Sequence, residues 1–230
     1  MSHNITVEGG TSVRLPTAGK YCDRDIIVTA TGSGGGGNVD AIIDRSITSI
    51  RSNVTEVGYH AFQRCSKLES VNFPNADSID GYCFNLCTSL KSADLPKVQS
   101  VAIYAFEGCT ALENVNLPSV RSVLNYAFKD CAALKKIDLN QATKINASAF
   151  YNCSNLEAVI LRRTGSICTL SSTNAFQLTK IASGGGYFYV HREMLSDNYS
   201  YLDYRRATNW STYASRFRAI EDYPDICGGV

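Results

Sequence analysis

Nine cysteines and three histidines are the residues of this 230-residue chain that most readily bind metals or act as nucleophiles. Cys22, Cys168 and Cys227, which fall outside the repeat columns, lack the C-x-x-C spacing of a typical zinc site. His3, His60 and His191 lie in different segments, so no Ser-His-Asp or Cys-His arrangement is supported. The pattern therefore predicts no catalytic residues, no metal site and no cofactor.

Five of the cysteines stand 22 residues apart and form one column of a repeat. They are Cys65, Cys87, Cys109, Cys131 and Cys153. As free thiols they would be small buried apolar groups, and as pairs they would form a disulfide ladder. The first interpretation is favoured, because pairing along a column of five leaves one unpaired. Cys83 reads the same way, whereas the pairing of Cys22, Cys168 and Cys227 stays open.

Apolar residues repeat with the same 22-residue period as the cysteines. The clearest columns are Phe62, Phe84, Phe106, Phe128, Phe150 and Leu68, Leu90, Leu112, Leu134, Leu156. Within one repeat Phe84, Cys87 and Leu90 lie three apart, as on a short helical turn. Ala93 and Leu95 lie two apart, as on a strand. The period predicts an α/β solenoid whose stacked units share one core behind a parallel sheet.

The repeat unit V-x-x-Y-A-F-x-x-C-x-x-L-x-x-V-x-L-P, at Val101 to Pro118, resembles the leucine-rich repeats of BspA type. The resemblance covers roughly residues 42 to 183. It implies a curved, right-handed solenoid, with the parallel sheet on its concave face, that binds other macromolecules and has no catalytic activity. Such repeats occur in bacterial surface proteins, some protist surface proteins, and phage or prophage structural proteins.

Four segments are expected along the chain. Residues 1–31 form a small β attachment module, with strands at Ile5 to Val7 and Ile26 to Thr29, and residues 32–37 form a glycine-rich linker. Residues 38–183 form the solenoid with its N-terminal cap, and residues 184–230 form a C-terminal strand and helical cap. Trp210, the single tryptophan, is expected to anchor that cap.

The segment from Glu8 to Ile26 resembles a short module of phage tail and prophage structural proteins. This resemblance implies that residues 1–31 attach the array to tail or assembly proteins and support a homo-oligomer. The same stretch lacks the basic and apolar regions of a signal peptide. The expected location is therefore a virion tail or an extracellular surface.

Polar residues flank the inward-facing positions of the predicted strands and would lie on the open concave face. The candidate ligand-binding residues are Ser70, Asn72, Ser92, Asp94, Asn114, Asn116, Lys136 and Asp138, with Ala158 and Ile160 continuing the same columns. A solvated strand face with Asn/Asp ladders explains these residues equally well. A third column alternates in sign and is interpreted as fixing the register of the stack; its members are Glu69, Lys91, Glu113, Lys135 and Glu157.

Tyr82, Tyr104 and Tyr126 form a ladder for which core-edge packing is favoured over sugar binding. Lys plus Arg total 22 and Asp plus Glu 21, a balance that argues against nucleic-acid binding. No run approaches 18 apolar residues, so no membrane insertion is expected.

The leading functional hypothesis is a non-enzymatic adhesion or receptor-binding subunit of a phage or prophage tail, recognising a protein or glycan on a bacterial surface. The alternative is a bacterial cell-surface adhesin that binds host matrix protein or other cells. A third hypothesis is a carbohydrate hydrolase in residues 162–220.

Overall fold

The computed structural model describes residues 3–8, 26–31, 38–39, 48–195 and 202–228. Its strands are, in chain order, β1 His3–Glu8, β2 Ile26–Thr31, β3 Asn38–Val39, β4 Ser49–Arg51, β5 Glu56–Val57, β6 Ser70–Asn72, β7 Ser78–Ile79, β8 Ser92–Asp94, β9 Ser100–Val101, β10 Asn114–Asn116, β11 Ser122–Val123, β12 Lys136–Asp138, β13 Lys144–Ile145, β14 Ala158–Leu161, β15 Thr169–Leu170, β16 Tyr187–Val190 and β17 Phe217–Ala219. The helices are α1 Lys180–Ser183 and α2 Pro224–Cys227, with 3-10 helices at Thr173–Phe176, Arg192–Leu195, Trp210–Arg216 and Ile220–Asp222.

All the strand pairs are parallel, and each turn of the chain places two short strands in two different sheets. One sheet runs β3-β5-β7-β9-β11-β13-β15 without interruption. The other strand of each turn lies in one of two four-stranded sheets, ordered β4-β6-β8-β10 and β12-β14-β16-β17. From β5 to β14 the paired strands keep the 22-residue register, as in Val71 opposite Ala93. The predicted solenoid of stacked parallel units is confirmed.

The core is a file of phenylalanine rings that runs along the stack. Phe106 and Phe128 have ring centroids 5.2 Å apart and planes only 1° apart. Phe150 and Phe176 continue the file with the same 5.2 Å separation, although four extra residues lie between them in the sequence. Stacking at this distance in every turn buries the rings completely. The four extra residues before Phe176 are thus accommodated outside the core.

The predicted helical turn around each phenylalanine is a chain of separate turns in the first five repeats. Cys65 N–H donates to Phe62 C=O and Leu68 N–H to Cys65 C=O, which are single i to i+3 bonds. Two residues of this segment, His60 and Arg64, have positive φ angles of 59° and 61° and interrupt any regular helix. In the turn that contains Phe176 the segment becomes the 3-10 helix Thr173–Phe176.

The positive φ angles let alternate N–H groups point along the stack. Phe62 N–H donates to Cys83 C=O at 2.8 Å, and Arg64 N–H to Asn85 C=O at 2.7 Å. The turn segments therefore form a third backbone ladder beside the two strand ladders. This ladder satisfies polar groups that the turns would otherwise leave buried.

The two ends of the chain are only partly as predicted. The strands expected near Ile5 and Ile26 are present as β1 and β2, which pair in parallel. At the other end the helical expectation is wrong for Phe217–Ala219, which is a strand that pairs with β16. Phe217 and Ala219 alternate inward along that strand, so a period of two replaces the expected helical period.

Candidate functional site

The candidate residues lie together on the outward side of β6, β8, β10 and β12, here called the strand face. Its members are Ser70, Asn72, Ser92, Asp94, Asn114, Asn116, Lys136 and Asp138. Asn114, Asn116 and Lys136 are exposed and the other five are half-buried. Between them the strands turn Val71, Ala93 and Ile137 into the core. The structure thus brings the residues together, while their role in binding remains a prediction.

Side chains of neighbouring strands bond to one another on this face. Asn72 Nδ2 donates to Asp94 Oδ2 at 2.9 Å, and Asn116 Nδ2 donates to Asp94 Oδ1 at 2.7 Å. Asp94 therefore accepts from both sides, and its carboxylate is held by two amides. These bonds form part of the Asn/Asp ladder predicted from the sequence as the structural alternative to ligand binding. They explain some of the polar residues of the strand face.

The two apolar positions at the far end of the strand face are covered. Ala158 and Ile160 on β14 are only 5% and 1% exposed, so the expectation that they line the open face is wrong. They pack with Tyr189, Ile220 and Cys227 in a second, smaller hydrophobic cluster. Burying these groups under the segment Ile220–Cys227, here called the strap, removes apolar surface that the sheet would otherwise expose.

Polar contacts tie the strap to the edge of the candidate site. Lys136 Nζ donates to Ile226 C=O at 3.1 Å. Arg162 Nε donates to Asp138 Oδ2 at 2.8 Å, and the same guanidinium bonds to Cys227 C=O. Sequence reasoning missed Arg162 and the strap. The signal that could have found them is Ile160, which is an apolar residue in an otherwise polar column.

A groove of about 590 Å³ opens on the strand face between β10 and β12. Its walls include Asp94, Asn114 and Asn116 on one side and Lys136 and Asp138 on the other. Six of the eight candidate residues line it, whereas Ser70 and Asn72 do not.

The alternating charge column forms ion pairs only in places. Lys91 Nζ lies 2.8 Å from Glu69 Oε2, and Lys180 Nζ lies 3.1 Å from Glu157 Oε2. Within the described part of the chain no ion pair joins Glu113 to Lys135. These two residues flank the groove, where neighbouring turns are not joined on this face.

The tyrosine ladder lies on the turn segments. The rings of Tyr82 and Tyr104 stack at 4.8 Å, and those of Tyr104 and Tyr126 at 4.9 Å. Each inner ring has both faces against a neighbour, so the faces that would bind a sugar are occupied. This geometry favours the packing interpretation of the ladder.

The described cysteines are buried thiols, and none of them forms a disulfide. Cys109 Sγ donates to Phe84 C=O at 3.1 Å, and the other column members from Cys87 to Cys153 make the equivalent bond. Burial raises the pKa of Cys87 and Cys109 well above the ordinary thiol value. The column is therefore structural, as the first of the two interpretations predicts. Cys22 lies outside the described residues.

A second cavity, of about 520 Å³, lies in the C-terminal region where a hydrolase was considered. Its walls are formed by Thr173, Asn174, Gln177, Ile181, Ala182, Ser183, Gly184, Thr212, Tyr213, Ser215 and Arg216. Among the described residues this lining contains no carboxylate, whereas glycoside hydrolysis ordinarily uses a pair of them. Arg216 is the one charged group among the described lining residues, and it donates a hydrogen bond to Gly184 C=O at 2.7 Å.

The described residues contain neither a metal-binding cluster nor a membrane-spanning helix. Within them, no group of three or more His, Cys, Asp or Glu side chains is placed to hold a metal ion. In the same part of the chain no helix has the length and apolar character needed to cross a membrane.

Three solved structures that resemble this chain are of bacterial proteins. A leucine-rich repeat protein from Bacteroides ovatus is 22% identical, with a TM-score of 0.43 over 60% of this chain and 43% of its own. A leucine rich cell surface protein from Faecalibacterium prausnitzii is 24% identical, with a TM-score of 0.42 over 70% and 48%. The pneumococcal vaccine antigen PcpA is 14% identical, with a TM-score of 0.49 over 94% and 54%. This chain spans less than two thirds of each of these proteins.

No curated protein sequence matches the chain. A family model, the BspA type leucine rich repeat region, matches six copies within residues 44–156 and 77–185. These matches span most of the stacked turns, including every phenylalanine of the core file from Phe62 to Phe176. The chain therefore belongs to the BspA type leucine rich repeat family.

Proposed function

We propose that this chain is a non-enzymatic binding module that attaches to a macromolecule on a cell surface, and that adhesion is its role. The single observation that carries the proposal is the strand face. It presents short polar side chains at fixed intervals on a rigid parallel sheet, and the strap leaves its β6 to β10 part uncovered. Repeat proteins use such extended, regularly spaced surfaces for binding.

The partner proposed for the strand face is a protein or glycan of a target cell. Family membership supports this role, because the resemblance of the repeats to BspA type proteins implies macromolecule binding without catalysis. The carboxylate-free lining of the C-terminal cavity weighs against the hydrolase hypothesis.

Two locations are proposed for the module, a bacterial cell surface and a phage or prophage tail. The tail role rests on the sequence of Glu8 to Ile26, most of which lies outside the described residues, and no comparison supports it. We therefore place the surface adhesin first. Fractionation of producing cells, with antibody against the chain, separates the two. The chain in envelope fractions supports the cell-surface location, and the chain in sedimenting particles supports the tail.

The function is tested by binding of the labelled chain to panels of bacterial and epithelial cells. A double variant, Ser70→Arg with Asn114→Arg, places bulk and charge on two strands of the strand face. Its matched control, Gln99→Arg, changes an exposed residue beside the uninterrupted sheet. We expect the double variant to bind at least about ten-fold more weakly, with an unchanged melting temperature, and the control to bind normally. Equal binding by all three proteins would overturn the placement of the site, and an absence of any cell binding would overturn the function.

A further inference from the structure

The strand face is interrupted at one step of the stack. Within the described residues no ladder bond joins β10 to β12, although β8 pairs with β10 and β12 pairs with β14. The other two ladders continue across this step. β11 pairs with both β9 and β13, and Phe106 N–H donates to Ala127 C=O at 2.8 Å. The opening is therefore confined to one side of the solenoid.

The interruption leaves backbone groups without the partners that their counterparts have. Glu113 N–H donates to Lys91 C=O at 3.0 Å, and Glu157 N–H donates to Lys135 C=O at 2.9 Å. The equivalent bond from Lys135 N–H to Glu113 C=O is absent from this fully described stretch. The same difference is found just after the C-terminal ends of these strands. Leu139 N–H donates to Ile160 C=O, but Leu117 N–H does not donate to Asp138 C=O. Backbone N–H and C=O groups without a ladder partner are available to hydrogen-bond a ligand.

One side-chain atom in the groove also lacks a hydrogen-bond partner. Asp138 Oδ2 accepts from Arg162, but Asp138 Oδ1 is covered and has no hydrogen-bond partner in the described part of the chain. The side chain placed to donate to it, Asn116, turns back to Asp94 instead. A covered carboxylate oxygen without a donor costs free energy, so it is a place where a ligand hydroxyl would gain a strong bond.

The floor of the groove is apolar. Val115 is partly exposed, whereas its counterparts Ala93 and Ile137 in the same column are 2% and 1% exposed. The charges of the lining nearly balance, with Asp94, Glu113 and Asp138 against Lys135 and Lys136. A balanced lining gives no net attraction for a polyanion or a polycation. An apolar floor between polar walls suits a molecule with one C–H face and many hydroxyls.

The groove is too narrow for an added strand. A strand inserted into a sheet lies about 4.8 Å from each neighbour, which would separate the flanking strands by about 9.6 Å. Cα atoms of β10 and β12 lie within 8 Å of one another. The groove volume of about 590 Å³ falls within the range of small-molecule sites.

We propose that this groove binds a short uncharged glycan, an inference that rests on the proposed function and names its ligand. Asp138 Oδ1 accepts a bond from a sugar hydroxyl, and the free backbone groups of Glu113 and Lys135 bond to others. Val115 meets the C–H face of a sugar ring. The strap closes one end of the groove through Lys136, so the ligand lies across the step rather than along the whole strand face.

The experiment uses an array of uncharged mono- to tetrasaccharides, with sialylated and sulfated glycans as charged comparators, followed by calorimetry on the strongest binder. Three single variants are compared with the unaltered chain. Asn114→Arg fills the groove from an exposed position, and Asp138→Asn alters the carboxylate without changing its size. Gln99→Arg adds the same charge on the far sheet. Melting temperatures of all four proteins are recorded.

We expect an uncharged glycan to bind the unaltered chain and the Gln99→Arg control equally, and to bind Asn114→Arg and Asp138→Asn at least about ten-fold more weakly. Preference for charged glycans, or a glycan unaffected by Asn114→Arg, would overturn the inference. If cells are bound through the strand face but no glycan is, the inference fails and the proposed function stands. If neither cells nor glycans are bound, both fail.

Discussion

Cys109 Sγ lies 3.1 Å from the carbonyl oxygen of Phe84, to which it donates a hydrogen bond across the stack. The same carbonyl accepts from Cys87 N–H at 3.1 Å, so the thiol is its second donor. Four cysteines make this bond at the same place in successive turns. Each thiol thus links one turn to the previous one from inside the core.

Cys109→Ala is expected to destabilise the chain by about 1–3 kcal/mol, because it removes one buried bond and leaves a small cavity. Cys109→Ser keeps a donor of nearly the same size and is expected to cost less. Urea unfolding followed by circular dichroism measures both. A serine variant less stable than the alanine variant would contradict a hydrogen-bonding role and leave apolar packing as the reason for the column.

Stability is expected to fall steeply in alkaline solution. Burial raises the pKa of Cys83, Cys87 and Cys131 well above the ordinary value, and that of Cys168 to about 12. The unfolded chain loses these protons from about pH 8.5, whereas the folded chain keeps them. Stability is therefore complete below that pH and declines as the pH rises toward the folded values.

The slope of the free energy of unfolding against pH gives the number of buried thiols that titrate. Each contributes about 1.4 kcal/mol per pH unit in this window, so several thiols together unfold the chain within one or two units. Urea midpoints measured from pH 7 to pH 10.5 test this. Cys109→Ser removes one titrating group and should flatten the slope by one proton. A flat profile up to pH 10 would show that the thiols are not protected by burial.

Gly186 lies flush against the backbone of the preceding turn. A Cβ atom at this position would stand 2.5 Å from Glu157 O and 2.6 Å from Glu157 Cα, which is backbone that cannot move aside. Gly186→Ala is therefore expected to cost about 3 kcal/mol or more by forcing β16 away from β14. The neighbouring Gly185 is the control, since its Cβ would meet nothing nearer than Lys180 O at 3.6 Å. Gly185→Ala should change stability by less than about 1 kcal/mol. Thermal unfolding of the two variants decides the matter, and similar melting temperatures would contradict this close approach.

The repeat columns predicted the stacking because each column serves the same contact in every turn. Phe62 and Phe84 stack at 5.3 Å with planes 4° apart, which follows from their spacing alone. The second strand of each turn was not predicted from the sequence, because it is only two residues long, as at Ser100 and Val101. Runs this short carry no periodicity.

The turn segments were predicted as helical because their apolar residues lie three apart. What the sequence hides is the backbone conformation of the residues between them. Leu86 has a φ of 61°, a conformation that leucine rarely adopts, and it does so because its N–H donates to Glu107 C=O at 2.7 Å in the next turn. Tertiary contact overrides local preference at this position.

Two features of the candidate site were beyond reach of sequence periodicity. The interruption between β10 and β12 lies between repeats whose apolar columns match, so nothing in Val115 or Ile137 marks it. The strap arrives from 60 or more residues away, as Arg162 and Cys227 show. Contacts at such separations are set by the path of the chain after the repeats end.

Trp210 couples the C-terminal cap to the last turn of the core file. Its Nε1–H donates to Cys168 C=O at 2.6 Å, and its ring contacts Phe176 and Phe188. Trp210→Phe keeps most of the packing but leaves that buried carbonyl without its donor. We expect a loss of about 1–3 kcal/mol for phenylalanine and about 3–5 kcal/mol for alanine.

Because Trp210 is the only tryptophan, its fluorescence reports the cap alone, while circular dichroism reports the strands. The aromatic contacts with Phe176 place cap and solenoid in one cooperative unit, so the two signals should give the same urea midpoint in the unaltered chain. A tryptophan transition at lower urea than the strand transition would mean that the cap unfolds first. The strap, which is part of the cap and follows Trp210 in the chain, would then leave β14 before the repeats unfold.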